Sequence, residues 1–423
     1  MRPGKFLFTC FATIIYATIA DAQIDTHAVP VMDLSDTCHT GSLVMVKTNQ
    51  QTDLYDLGLM GKDWIKGTKL ACKRTDTGEI KSRKLRVGAV PAAGYTLQTG
   101  FAVVLSANGV YYTNPDANAS TILTSFTYTA RNQIILPFQY SIWTRDNKYN
   151  INSDWRFLKF PSYTYGLGGY TTINDGYLIY YNAIKIHETA LRKIRHNMYA
   201  GIGYNFDYFY DILELNPPKN TVTDFRKYGY GPTETASGIT LNYLFDSRQN
   251  AVNPDHGALV NLIYSPKFVF LGNATTWRSM IIDMRKYFTF PKYSQNVLAF
   301  WNYEWLTISG NPPYLMLPST GNDAFSNTGR GYIQGRFRSK NMAYAEGEYR
   351  FEITNNGLVG GVVFANAESF TEISNNKFET VAPGWGFGVR LKLNKFSRTN
   401  VALDYGFGLN GSGGLFVNIG EVF

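Results

Sequence analysis

The sequence contains few residues that could bind a metal ion or carry out catalysis. Three Cys residues occur among 423 residues, and no Cys-x-x-Cys pair is present. The five His residues form no recognisable ligand pair, and none accompanies the sequence motif of a catalytic nucleophile. We therefore expect no metal, no cofactor and no enzymatic activity.

Long apolar runs are also missing after the N-terminus. Arg2 and Lys5 precede a mostly apolar run at residues 6–19, which is followed by Ala20-Asp21-Ala22. This pattern predicts a secretory signal peptide, residues 1–22, that is cleaved after Ala22. The rest of the sequence has no apolar run of 18 residues, so a transmembrane helix is excluded and insertion into a membrane would require strands.

Cleavage of the signal peptide removes Cys10 and leaves Cys38 and Cys72. Both lie in a polar and irregular stretch, residues 23–83, which we interpret as a short periplasmic extension. In a compartment that oxidises thiols these two residues are candidates for one disulfide. Two unpaired cysteines are the alternative.

The net charge of +8 is modest, and much of it comes from one segment. Residues 62–86 contain nine Lys or Arg residues against Asp63, Asp76 and Glu79. This basic segment would suit anionic lipid headgroups or an acidic partner, and its alternative role is a solvated tether. Nucleic acid is excluded as a partner, because an exported protein does not meet it.

From about residue 84 the sequence changes to segments of about ten residues in which apolar and polar residues alternate, as in β-strands. The alternation is clearest at residues 198–208, 297–305, 343–353 and 401–409. The charged stripe at residues 344–352 should face inward, and the odd residues of segment 297–305 should face lipid.

A soluble β-sandwich also alternates, but here the Tyr, Trp and Phe residues lie with the apolar face, as at a membrane interface. We therefore predict an all-β fold, in which residues 84–423 form a closed antiparallel transmembrane β-barrel of about sixteen strands.

The last predicted strand, residues 414–423, continues to the end of the sequence. Its alternation and its aromatic last residue are typical of a terminal strand signal, carried by Gly414, Phe416, Ile419 and Phe423. A closed barrel must pair its last strand with its first, so we expect the wall to run to Phe423. The alternative is that Phe occupies the last position by chance.

Several motifs in order resemble the bacterial surface antigen superfamily, which comprises the BamA-type and two-partner-secretion-type outer-membrane translocators. The resemblance covers residues 85–423. It rests on Val90-Pro91-Ala92-Ala93-Gly94-Tyr95, Lys159-Phe160-Pro161, Phe245-Asp246-Ser247-Arg248, Leu403-Asp404-Tyr405-Gly406 and the last five residues. It implies location in the bacterial outer membrane, with outer-membrane lipids and lipopolysaccharide as partners.

The most specific motif is Gly329-Arg330-Gly331-Tyr332, which resembles the tip of the family's loop that folds back inside the barrel. The resemblance implies that Arg330 reaches Glu348 and the position of Asn366, where the family usually has Asp. An arginine inside a barrel needs an anion, and Glu348 belongs to the inward stripe. The alternative is a solvated Arg330 and glutamates that line a wet pore.

The family also has N-terminal polypeptide-transport-associated domains, and residues 23–83 are too short for one. The resemblance thus implies a barrel-only member that assists insertion or translocation of polypeptide or lipid clients through a lateral seam. Its expected partners include client outer-membrane proteins and a separate periplasmic protein. Two alternatives remain open, namely a plugged barrel that anchors a partner protein and a passive diffusion pore.

Overall fold

The computed structural model describes residues 51–54, 56–58, 83, 85–96, 98–114, 117–218, 221–229, 231–324, 326–395 and 398–423. The predicted signal peptide, Cys38, Cys72 and their candidate disulfide lie outside the described residues, as do most of the extension and of its basic segment. None of the described helices is long and apolar enough to cross a membrane, a finding that does not bear on strands.

Within the described residues, seventeen strands form one antiparallel sheet, as the all-β prediction required. A short helix, α1 (Asp224–Gly229), precedes the ninth strand. The strands are β1 (Arg86–Thr96), β2 (Gly100–Tyr111), β3 (Ser120–Thr129), β4 (Ile134–Trp143), β5 (Tyr149–Lys159), β6 (Ser162–Thr164), β7 (Tyr177–Arg195), β8 (Met198–Leu215), β9 (Glu234–Asp246), β10 (Gly257–Lys267), β11 (Trp277–Thr289), β12 (Val297–Ser309), β13 (Asn341–Glu352), β14 (Val359–Phe370), β15 (Ala382–Asn394), β16 (Thr399–Phe407) and β17 (Gly413–Ile419).

The order of strands in the sheet follows the order in the sequence. The short β6 continues β5 beyond Phe160-Pro161, and both pair with β7, so the seventeen strands occupy sixteen positions. Proline cannot donate a hydrogen bond to a neighbouring strand, which explains the interruption at Pro161. The sequence prediction of about sixteen strands agrees with this arrangement.

The first and last strands are neighbours without being paired. Cα atoms of β1 and β17 approach within 8 Å. Within the described residues, however, β1 forms a ladder only with β2, and β17 forms one only with β16. The sheet is therefore hydrogen-bonded between all successive positions except across this junction, which we call the β1–β17 junction.

Burial distinguishes the two faces of each strand. In β13 the even residues Glu346, Glu348 and Arg350 are buried, as predicted, and in β16 Asp404 faces the same interior. The prediction for β12 is wrong, because its odd residues are the buried ones. Trp301 points inward and donates a hydrogen bond from Nε1 to Asp283 Oδ1, 2.9 Å away.

The prediction that the wall runs to Phe423 is also wrong. β17 ends at Ile419, and Gly420 adopts a φ of +99°, a left-handed backbone conformation that favours glycine. The chain then turns inward, and Val422 and Phe423 are buried in the main hydrophobic cluster together with Trp301. The terminal aromatic residue therefore faces the interior of the sheet rather than its outer surface.

The connection between β12 and β13, residues 310–340, crosses the interior of the curved sheet, and we call it the interior loop. Tyr314 Oη lies 2.7 Å from Thr164 Oγ1 in β6. The Leu315 amide donates to Glu234 in β9 over 3.0 Å. Farther along the loop, Arg338 forms a backbone bridge with Gly168. The interior loop thus contacts strands that are far apart in the sequence.

Candidate functional site

The tip of the interior loop is shaped by two glycines that flank Arg330. Gly329 and Gly331 have φ values of +77° and +112°, which disfavour a residue with a Cβ atom. A Cβ added to Gly331 would lie 2.5 Å from the backbone oxygen of Phe407 in β16. These glycines therefore permit the close approach of the loop to the wall and direct Arg330 toward β13 and β16.

Arg330 is held by three carboxylates from two strands. Its side chain is 1% exposed, and Nη1 donates to Asp404 Oδ2 over 2.7 Å. Nη2 donates to both Glu346 and Glu348. The guanidinium carbon also lies 3.7 Å from the centre of the Phe364 ring, a cation–π contact. The structure thus brings Arg330 and Glu348 together and adds two acidic partners.

These contacts belong to a closed circuit of ion pairs in which the sign of charge alternates, and we call it the charge ring. Glu348 pairs with Arg350 over 2.7 Å, and Arg390 pairs with Glu421 over 2.7 Å. Arg350 closes the circuit with a 3.7 Å contact to Glu421. The order around the ring is Arg330, Glu348, Arg350, Glu421, Arg390 and Asp404.

The ring joins three parts of the protein. The interior loop supplies Arg330, the strands β13, β15 and β16 supply four members, and the segment after β17 supplies Glu421. All six side chains are buried, so their attraction is little screened by water or salt. Each charge has two opposite charges as neighbours, which compensates for loss of hydration.

Glu346 contacts the ring without being part of its circuit. Its carboxylate accepts hydrogen bonds from Arg330 and from the Tyr344 hydroxyl. Among the described residues, Arg330 is the cation with which Glu346 forms an ion pair. The ring together with Glu346 therefore contains four carboxylates and three guanidinium groups.

Burial also changes the ionisation of groups in the interior loop. Burial acts to lower the pKa of Arg330, but the carboxylates of Glu346, Glu348 and Asp404 outweigh it and hold that pKa above its ordinary value. Burial raises the pKa of Tyr314 to about 12 and also raises the pKa of Tyr332. Arg330 therefore stays charged, whereas both tyrosines stay neutral hydrogen-bonding groups.

Asn366 and Tyr332 hold the backbone of the loop rather than the Arg330 charge. Asn366 Nδ2 donates to the Arg330 carbonyl oxygen over 2.9 Å, a contact that an aspartate could not make. The Tyr332 hydroxyl donates to the Pro383 carbonyl over 2.6 Å and accepts from the Leu409 amide over 3.0 Å. Asn366 thus differs from the expected counter-charge in its chemical role.

The residues of the predicted terminal strand signal separate into two groups. Gly414, Phe416 and Ile419 lie in β17. Phe423 lies in the interior, where its ring stacks on Trp301 at a centroid distance of 5.2 Å and its backbone oxygen accepts from Arg350 over 2.9 Å. The structure therefore brings Phe423 close to the charge ring, and Phe416 lies opposite the ring member Asp404 in the β16–β17 ladder. Gly414 and Ile419 lie opposite Gly406 and Val401, which are not part of the ring.

Sequence reasoning missed most of the partners of Arg330. Glu346 lies on the inward stripe of β13 and Asp404 on the inward face of β16, so alternation could have identified both. Alternation alone could not have identified Glu421, because continued alternation would place it on the outward face, and it joins the ring only through the turn beyond the end of β17. In the part of the chain that the structure describes, no group of three or more His, Cys, Asp and Glu residues is arranged to hold a metal ion.

No family model matches the sequence, and no curated protein matches it. Solved structures do match. BamA from Haemophilus ducreyi lacking POTRA domains 1–3 is 11% identical with a TM-score of 0.52, over 79% of this chain and 70% of that chain. CdiB from Acinetobacter baumannii is 10% identical with a TM-score of 0.50, over 80% of this chain and 60% of that chain.

CdiB from Escherichia coli is 8% identical with a TM-score of 0.53, over 84% of this chain and 64% of that chain. This chain therefore spans less than two thirds of the length of either CdiB structure. At such identities a match shows likeness of fold alone. The resemblance that the motifs predicted is confirmed at that level, and the chain has a fold similar to those of BamA and CdiB.

Proposed function

We propose that the chain forms a closed barrel in a bacterial outer membrane and assists the insertion or translocation of polypeptide or lipid clients through a lateral seam. The observation that carries the proposal is the β1–β17 junction, where neighbouring strands have no ladder within the described residues. Opening the wall there would break no strand ladder, unlike opening it elsewhere. The proposal assigns no catalytic step to the chain.

The outer surface supports location in a membrane. Large apolar side chains are exposed on the outward faces of strands across the sheet. They include Ile202, Leu241, Phe300, Val363 and Phe387. Soluble proteins rarely expose so much apolar surface, whereas a lipid-facing barrel requires it. Lipids, including lipopolysaccharide, would contact this surface.

An unpaired strand edge supports the handling of polypeptide clients. The backbone N–H and C=O groups of an edge strand can form hydrogen bonds with a strand from another chain. At the β1–β17 junction two such edges face each other. A client strand would pair with one of these edges and would then move into the lipid. The partners would be client outer-membrane proteins and a periplasmic protein.

A plugged barrel that anchors a partner is the second candidate, and the buried charge ring favours it. The ring fixes the interior loop across the barrel, as a static scaffold would need. The passive pore has less support, because Glu346, Glu348 and Arg350 are buried in ion pairs instead of lining a wet channel. Conductance in planar bilayers that rises in an Arg330→Ala variant would favour the pore.

Conditional depletion followed by quantitative proteomics and lipid analysis of the outer membrane tests the proposal. An assembly or translocation factor should change the abundance of a set of outer-membrane proteins or the distribution of lipids. Unchanged membranes would refute it. A stable partner recovered from such unchanged membranes would favour the scaffold.

A crosslinking experiment tests the seam itself. In a variant without Cys38 and Cys72, Val417→Cys in β17 would be combined with single cysteines along β1. The matched control pairs Val417→Cys with Leu403→Cys, its opposite residue in β16. Crosslinks across the β1–β17 junction should abolish complementation of the depleted strain, whereas the control crosslink should preserve it. Full complementation by the junction crosslink would refute the seam.

A further inference from the structure

We propose that residues 420–423, which we call the latch, couple the position of β17 to the Arg330 contacts. The latch packs against the wall and the interior loop, and the interior loop is released when the latch leaves this packed position. Any effect of the latch on the insertion or translocation of clients rests on the proposed function. The coupling itself is a property of the isolated protein. It follows from the inward turn at Gly420 and from the contacts of the three residues after it.

The first part of the latch is anchored to the wall. The Gly420 amide donates to the Asn400 carbonyl over 2.7 Å, and the Glu421 amide donates to the Val252 carbonyl over 3.3 Å. The Glu421 carboxylate accepts from Arg390 Nε over 2.7 Å and from Asn400 Nδ2 over 2.6 Å. These contacts place a negative charge between β15 and β16, where it completes the charge ring.

The second part of the latch reaches the interior loop. Asn327, in the loop, donates from Nδ2 to the Val422 carbonyl oxygen over 2.6 Å. Phe423 occupies an aromatic slot, with its ring stacked on Trp301 and 6.3 Å from the Tyr287 ring. The Arg350 guanidinium lies 5.3 Å from the Phe423 ring and donates to its backbone oxygen. The latch therefore contacts wall, ring and loop at once.

Displacement of β17 would withdraw the latch. β17 has seven residues, and within the described chain β16 is the strand that it pairs with. Gly420 follows Ile419 directly, so movement of β17 away from the wall pulls Glu421 away from Arg390. Arg390 and Arg350 would then each lose a partner, and the remaining ring would hold Arg330 through an open chain of ion pairs.

The interior has space for this movement. Glu421, Val422 and Phe423 line a cavity of about 870 Å³, which also borders β5, β7, β8 and residues 322–324 of the interior loop. A segment packed on all sides would have to unfold its surroundings in order to leave. Because the latch borders the cavity on one side, it can leave its position together with β17 while the other strands stay in place.

Trypsin digestion of the purified full chain in detergent tests the coupling. Arg330, Arg336 and Arg338 lie in the interior loop and are buried, so trypsin should cleave there only after the loop is released. Glu421→Gln should raise the cleavage rate at Arg336 and Arg338 roughly tenfold to a hundredfold, the effect of losing one charge-assisted hydrogen bond. Mass spectrometry identifies the cleavage sites.

The matched control is Asp246→Asn, which removes the ion pair of Asp246 with Arg248 outside the charge ring. It should leave cleavage of the interior loop unchanged. Phe423→Ala, which empties the aromatic slot, should release the loop as Glu421→Gln does. Heat-modifiable gel mobility of each variant verifies that the barrel has folded.

A double variant distinguishes coupling from general loosening. On an Arg330→Ala background the loop is already released, so Glu421→Gln should add no further cleavage at Arg336 and Arg338. Additive effects would overturn the latch, and so would wild-type resistance of the folded Glu421→Gln variant. Because this experiment involves no client, the latch and the proposed function can fail separately.

Discussion

The substitution Arg330→Ala tests the charge ring most directly. It removes the one cation shared by Glu346, Glu348 and Asp404. Glu348 would keep Arg350, and Asp404 would keep Arg390. Glu346 would lose its ion pair with Arg330 and would keep the hydrogen bond from Tyr344. The variant therefore leaves one buried carboxylate without a counter-charge.

The expected loss of stability follows from that residual charge. Removing one partner of a buried ion pair typically costs about 3–5 kcal/mol, because an uncompensated charge stays behind. Three lost contacts do not multiply this cost, since two of the carboxylates retain an arginine. We therefore expect the free energy of unfolding to fall by about 3–5 kcal/mol. The measurement is denaturant unfolding in lipid bilayers, followed by tryptophan fluorescence and by gel mobility.

The second substitution Glu346→Gln provides the matched test of this reasoning. In the double variant Arg330→Ala/Glu346→Gln the residual charge is gone, while the glutamine can still accept from Tyr344. We expect it to recover roughly 1–3 kcal/mol relative to Arg330→Ala, the typical cost of an unsatisfied buried group. A double variant that is no more stable than Arg330→Ala would refute the assignment of the loss to Glu346.

Three further substitutions have distinct expected outcomes. Gly331→Ala should displace the loop tip, because the new Cβ would lie 2.5 Å from the Phe407 oxygen at a φ of +112°, and trypsin cleavage of the loop reports the change. Asn366→Asp should weaken rather than strengthen the site, since its carboxylate would oppose the Arg330 carbonyl oxygen, and it should lower the unfolding midpoint. Asp56→Asn removes the buried 3.0 Å ion pair with Lys395 and should weaken the attachment of residues 51–54 and 56–58 to the turn after β15, which faster hydrogen exchange in these residues would report.

Alternation in the sequence predicts the strands well, but it identifies the inward face only where several charges share that face. In β13, Glu346, Glu348 and Arg350 share one face, and the outward face of the proposed barrel could not accept three charges. In β12 the polar residues Asn302 and Glu304 lie on the outward even face with Phe300, while Trp301 lies inside, so polarity indicates the wrong face there. The inward choice depends on packing against Phe423 and Tyr344, which no local pattern contains.

In the candidate site too, a local sequence motif predicted some of the residues, whereas other contacts depend on the fold of the whole sheet. The motif around Arg330, with its two glycines and the inward Glu348, was visible in the sequence. Asp404 is 74 residues away from Arg330, so their contact depends on the curvature of the whole sheet. Asn366 kept its predicted position near Arg330 but contacts the backbone instead of the guanidinium, a difference that only geometry could show.

The inward turn after β17 follows from a conflict that is present in the sequence. Continued alternation would place Glu421 on the same face as Leu415, Val417 and Ile419, the outward face, which is the lipid side of the proposed barrel. A carboxylate on that face is unfavourable, and a glycine inside a strand pattern often marks a break. Gly420 resolves the conflict by turning Glu421 to Arg390. Glu421, which cannot continue the outward face of β17, thus completes the charge ring. The end of β17 and the position of the interior loop therefore depend physically on each other.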